Sequence, residues 1–146
     1  MSEYVREITE DLIQELCEKA VRMRARSYVP YSHFRVGAAL LGADGKIYSG
    51  CNIENASFTP TICAERTAIF KAVYDGHRDL KAIAICGGKD GVIAGAFPPC
   101  GVCRQVMREF CDDDFEILLV SKDGFEAVTL AQLLPHSFRA DVHMQG

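Results

Sequence analysis

The sequence predicts an α/β fold: a three-layer sandwich in which one mixed five-stranded sheet carries helices on both faces. Three observations lead there. Apolar residues recur at helical spacing in segments that alternate with compact apolar runs of strand length. Two Asp-Gly connections, Asp44-Gly45 and Asp123-Gly124, each join a pair of such runs and mark antiparallel hairpins. The second connection is far too short for a parallel crossover, so the last strand must run antiparallel. No repeat, charge block or low-complexity tract divides the chain, and a single catalytic domain over 1–146 is expected.

The elements follow in order. Thr9 before Glu10 and Asp11 is a helix start, and Leu12, Ile13, Leu16, Cys17, Ala20 and Met23 keep a 3.6-residue period to about Arg26. Val36–Leu41 and Ile47–Cys51 are the first two strands, joined by Gly42-Ala43-Asp44-Gly45-Lys46. Ile53–Thr61 is polar and aperiodic and reads as a loop. A second helix runs from Cys63 to about Tyr74, closed by Gly76. Ala82–Cys86 is a strand, 87–99 a Gly- and Pro-rich loop, and Cys103–Phe110 a helix with Val106, Met107 and Phe110 inward. Glu116–Val120 and Phe125–Val128 form the final hairpin, and Leu130–Leu134 a short helix stopped by Pro135.

Composition narrows the function classes. With 20 acidic and 16 basic residues the net charge is −4, which offers no general attraction to phosphate backbones, so nucleic acid is not an expected partner. Met1 to Glu7 lacks the basic-then-apolar order of an export signal, and no apolar run approaches the ~20 residues of a membrane span. A cytoplasmic protein without a membrane partner is expected. Seven cysteines, an odd number, then point to metal ligands and buried thiols over a disulfide framework.

The chemistry concentrates in Cys63-Ala64-Glu65 and Pro99-Cys100-Gly101-Val102-Cys103-Arg104. Cys100 and Cys103 lie three positions apart in an opening helical turn, so both sulfurs can face one point. By itself that pair also fits a redox dithiol or half of a zinc ribbon. A third cysteine at another helix start, with a carboxylate beside it, belongs to neither. Three thiolates leave a tetrahedral Zn²⁺ one open corner for water, the arrangement of a catalytic centre and not a closed structural one. Cys111 lies about 12 Å along the helix axis from Cys103, too far to share the ion, and Cys17, Cys51 and Cys86 read as small buried hydrophobes.

Zn²⁺ with three thiolates already carries −1, which opposes deprotonation of its water. Helix N-termini at the cysteines supply positive partial charge, and Arg66 and Arg104 are positioned to add full charge; either arginine could equally be a surface ion pair. Glu65 points away from the metal side of its helix yet can reach the water. As a first-turn acid it would also simply favour the helix dipole.

These residues resemble the homotetrameric, three-cysteine class of cytidine deaminase. Six stretches carry the resemblance: Pro30–Phe34, Val36–Leu40, Gly50–Ala56, Cys63–Ala68, Pro99–Gln105, and Leu133-Leu134-Pro135 with Phe138. The resemblance implies one Zn²⁺ per subunit on Cys63, Cys100 and Cys103. It implies that Glu65 takes a proton from the activated water, whose oxygen attacks C4 of cytosine, and then delivers protons to N3 and the departing amine. It also implies that Asn52 and Glu54 hold the ribose, that Ala64 and Phe34 contact the base, and that Phe138 reaches into a neighbouring subunit's site. From the residues alone Asn52 and Glu54 are ordinary loop polars, and the two phenylalanines are core. Phe58 stands where many relatives carry Tyr, Arg35 follows Phe34 where relatives often differ, and the loop 87–98 follows no one relative. None of the three touches the metal residues.

The expected activity is zinc-dependent hydrolysis of cytidine and 2′-deoxycytidine to uridine and 2′-deoxyuridine with release of ammonia, a pyrimidine-salvage reaction. An alternative substrate is a cytosine-nucleoside analogue such as blasticidin S. A nucleic-acid deaminase would need a basic groove with aromatic platforms, and a purely structural zinc module would have no use for Glu65.

Overall fold

The computed structural model of the protein describes residues 8–144; Met1 to Glu7, where no export signal is read, lie outside them. The first helix, α1 (Glu10–Met23), starts where the Thr9 hydroxyl accepts the Leu12 N–H at 3.2 Å, and it tightens into a 3₁₀ turn over Arg24–Arg26. Two strands follow, β1 (Phe34–Gly42) and β2 (Ile47–Cys51), then α2 (Ala64–Tyr74), β3 (Leu80–Lys89), α3 (Gly101–Phe110), β4 (Glu116–Ser121) and β5 (Gly124–Thr129). Two short helices, α4 (Leu130–Leu133) and α5 (Ala140–His143), complete the chain; the sequence reading had no counterpart for α5.

The strands form one sheet in the order β2-β1-β3-β4-β5. Only β3 and β4 pair parallel, and the connection between them contains α3; every other pair, the last included, is antiparallel. β1 and β3 are apolar along nearly their whole length because both sheet faces are covered. Ala38 and Leu40 of β1, with Ile83 and Ile85 of β3, pack under α2 and α3 alongside Ala68, Ile69 and Met107. Ala39 and Leu41, with Ala82, Ala84 and Cys86, pack under α1 against Leu16 and Ala20. The three-layer sandwich is therefore present, with α1 on one side and α2 and α3 on the other.

Two strands are longer than their composition suggests. β1 begins at Phe34, and β3 runs on to Lys89 because Gly87 and Gly88, which read as loop, pair with Val36 and Arg35. A strand already held on its neighbour tolerates glycines that would end an isolated one. The Gly76 and His77 N–H groups close α2 on the Val73 and Ala72 carbonyls, as read from the glycine. No helix among the described residues is long and apolar enough to cross a membrane.

Candidate metal centre

Cys63 caps the N-terminus of α2 and Cys100 that of α3, and Cys103 follows inside the first turn of α3. Neither capping sulfur accepts a backbone N–H of its own helix, so both remain available to face outward from the helix ends. The three Sγ atoms lie within 4.8 Å of one another, and no fourth histidine, cysteine or carboxylate joins the group among the described residues. Cys63 and Cys100 Sγ are 3.8 Å apart. A disulfide would need about 2.05 Å, whereas two sulfurs each about 2.3 Å from one tetrahedral Zn²⁺ lie about 3.8 Å apart. The donor set thus fits zinc in chemistry and spacing. Cys17, Cys51, Cys86 and Cys111 stay outside it, with Cys86 and Cys111 buried.

What fixes Cys63 in this group is the floor beneath α2. A side-chain carbon on Gly50 would sit 2.3 Å from the Ala64 carbonyl and 2.7 Å from the Ala68 N, so only a glycine in β2 lets the start of α2 lie this close to the sheet. Thr67 adds a second tie, its hydroxyl donating within reach of the Cys51 carbonyl at 3.1 Å and the Cys63 carbonyl at 3.2 Å. That role escaped the sequence reading; a lone threonine four residues past Cys63 on an apolar helix was its only signal.

The electrostatics are those of a clustered set of thiols. Cys63 is pulled down to about 5, first by its hydrogen bond with Cys103, against burial, with Arg66 and Cys100 lowering it further. Cys103 moves the other way, since it keeps the shared proton and is itself buried. Arg66 Nη2 donates to Cys63 Sγ at 3.4 Å, and these thiols hold its guanidinium firmly charged despite burial. Arg104 makes no hydrogen bond to the sulfurs. Its Nε donates to the Pro99 carbonyl at 2.8 Å and its Nη1 to the Leu133 carbonyl at 2.7 Å, so its bonds fasten the approach to Cys100 and not the sulfurs.

Glu65 is 3 % exposed, in the first turn of α2, and burial pushes its carboxyl up to about 7, with the Cys63 charge adding to the rise. Such a group can take up and give back a proton near neutrality. Ala64, between ligand and carboxylate, is fully buried.

The remaining expected contacts lie at varied places. Asn52 Oδ1 accepts the Val36 N–H and its Nδ2 donates to the Phe34 carbonyl, both at 2.9 Å, which extends β1 pairing past the end of β2. Glu54 accepts the N–H groups of Tyr31 and Ser32 and the Ser32 hydroxyl. Phe34 packs on the core cluster that contains Cys103, where it meets Phe97 with ring centroids 5.2 Å apart; Phe97 had been read only as loop. Phe138 is 54 % exposed, stacked on His143, with its carbonyl bonded by Gln105.

Comparison with known proteins agrees with this geometry. A family model described as the cytidine and deoxycytidylate deaminase zinc-binding region matches residues 10–119. The chain is 48 % identical over 127 residues to a cytidine deaminase of Sporosarcina psychrophila, covering 86 % of this chain and 90 % of that one. It is 47 % identical over 129 residues to a cytidine deaminase of Halalkalibacterium halodurans, covering 88 % and 95 %. The crystal structure of cytidine deaminase from Burkholderia pseudomallei superposes with a TM-score of 0.78 at 42 % identity, covering 86 % of this chain and 98 % of that one. With a zinc-fitting thiol cluster, a buried carboxylate beside it and relatives of this identity over most of its length, the chain belongs to the cytidine and deoxycytidylate deaminase family.

Proposed function

We propose that the protein hydrolyses the 4-amino group of free cytidine and 2′-deoxycytidine, giving uridine or 2′-deoxyuridine and ammonia. The observation that carries this reading is the cluster of Cys63, Cys100 and Cys103 without a fourth protein ligand among the described residues, beside the buried Glu65. Bound there, Zn²⁺ supplies Lewis-acid activation of a water molecule. Glu65 accepts a proton from the attacking water and passes it to N3 as the water oxygen bonds to C4. It then carries the second proton to the amine as the C4–N bond breaks, so that one water is consumed and one ammonia released. Arg66 holds the Cys63 sulfur, and Arg104 holds the Pro99 segment that leads into Cys100.

Asn52 and Glu54 bind the ribose hydroxyls, Ala64 and Phe34 receive the base, and the Glu54 bonds to Tyr31 and Ser32 keep the 30–34 loop in place for it. In this reading the whole chain is one catalytic domain that works in the cytoplasm as a homotetramer, with Phe138 completing a neighbour's site. An analogue substrate such as blasticidin S is not favoured, since the relatives found are named as cytidine deaminases.

The test is direct. Purified protein is expected to bind one zinc per chain and to convert cytidine to uridine, followed by ultraviolet absorbance, with activity lost on chelation and restored by zinc. No turnover with zinc bound would defeat the reading.

A further inference from the structure

Two of the three departures, Arg35 and the loop 87–98, meet in the structure. Arg35 Nε donates to Asp90 Oδ1 at 2.6 Å, while its Nη1 donates to the Ser27 carbonyl at 2.8 Å. Arg24 reaches the same loop, its Nη1 donating to the Val92 carbonyl at 2.7 Å. Two guanidiniums thus grip residues 90 and 92, and the chain folds back over the end of β3, where the Ala94 N–H donates to the Gly87 carbonyl at 2.8 Å. The fold-back is tight. A side-chain carbon on Gly88 would lie 2.0 Å from the Val92 carbonyl oxygen, and one on Gly87 would lie 2.9 Å from Phe34 Cε1 and 3.2 Å from Phe97 Cδ1.

This loop delivers Phe97. Its ring meets Phe34 at 5.2 Å with the planes 32° apart, both rings pack on the cluster that includes Cys103, and Pro99, fully buried, leads directly into Cys100. Both rings remain only half-buried, whereas Val36 and Ile85 in the same cluster are buried. Each therefore keeps part of its surface uncovered, on the cluster that holds Cys103 and against which Cys63 also packs.

We propose that Phe97 is a specificity-determining residue that forms, with Phe34, the wall against which the pyrimidine ring lies, and that Arg24, Arg35 and Asp90 are positioning residues that hold this wall at its distance from the metal centre. The inference rests on the cytidine reading. A wall of this kind fixes the room available at the edge of the ring, because an aromatic side chain anchored on both sides yields little to an added methyl group. It binds ground state and transition state alike, so its loss falls on KM and on the choice between substrates, not on kcat.

The experiment measures kcat and KM for cytidine and 5-methylcytidine, with zinc content, for the wild type, Phe97→Ala, Phe97→Leu, Asp90→Ala and the Asp90/Phe97 double variant. Phe97→Ala is expected to keep its zinc, to raise KM for cytidine about tenfold with kcat within about threefold, and to raise the 5-methylcytidine to cytidine ratio of kcat/KM about fivefold. Phe97→Leu lies between. Asp90→Ala, at a site 62 % exposed and safe for folding, moves the same quantities in the same direction by a smaller factor, and adds nothing to Phe97→Ala. An unmoved ratio, a loss confined to kcat, or additive effects in the double variant overturn the proposal. Should Phe97→Ala fail to fold, Phe97→Leu and Asp90→Ala decide the same question. A wild type inert toward both nucleosides defeats the cytidine reading and this one with it; an active wild type with unmoved ratios defeats the wall alone.

Discussion

Glu54 accepts the Tyr31 and Ser32 N–H groups at 3.1 Å each and the Ser32 hydroxyl as well, and these bonds, against some burial, hold its carboxyl below the usual 4.5. A carboxylate whose value falls on folding stabilises the folded state above its unfolded value, and that contribution disappears as pH drops through the folded one. The difference in Tm between the protein and Glu54→Gln should therefore be full at pH 7 and shrink below pH 4.5; thermal melts across that range check it. At the same scale, Glu65→Gln is expected to keep one zinc per chain while kcat falls about 10²–10⁴-fold, because the variant retains shape but cannot carry a proton. Metal analysis beside turnover distinguishes this from a collapsed centre. The grouping of Cys63, Cys100 and Cys103 was legible in the sequence because a zinc centre demands thiols, and each of these stands at a helix start. Arg104 was not, because the direction of a guanidinium depends on acceptors that only the fold supplies, here the Pro99 and Leu133 carbonyls.

The helices that carry the ligands are positioned by the sheet beneath them, and Gly50 shows how closely. Gly50→Ala drives a methyl group into the Ala64 carbonyl and the Ala68 N, so α2 must shift and take Cys63 and Glu65 with it. Overpacking of this kind costs about 1–3 kcal/mol. At about 2–4 °C per kcal/mol, Tm should fall by several degrees. Gly101→Ala, where a side-chain carbon meets nothing within 4 Å, is the control and is expected to change stability by no more than about 1 kcal/mol, in the favourable direction set by helix propensity. Calorimetry with zinc titration on both variants separates displacement of α2 from general loss of packing. Element types and their order up to α4 were readable from periodicity and the two Asp-Gly turns; α5, a single turn, was not. The lengths of β1 and β3 were not, since the added residues are held by pairing with each other and not by their own propensities. Phe97 stayed hidden for the same reason: only the fold-back onto Gly87 brings it to Phe34.

At the scale of the whole molecule, large apolar side chains stand exposed on the segments that lead into or carry the metal residues: Phe58 at 71 % on the loop before α2, Tyr31 against it, and Val102 between the two α3 cysteines. In the proposed tetramer a neighbouring subunit would cover this surface, and Phe138 is the exposed aromatic proposed to cross into it. Gel filtration is expected to give four chains per particle. Sharing is tested by mixing Glu65→Gln chains with Phe138→Ala chains under conditions that allow subunit exchange. Each parent alone lacks one part of every site. In a random mixture of equal amounts, about one site in four draws its carboxylate from one variant and its aromatic ring from the other, so activity rises above the mean of the two parents. Sites contained within single chains would leave the mixture at that mean, and the tetramer would then be an assembly of independent enzymes.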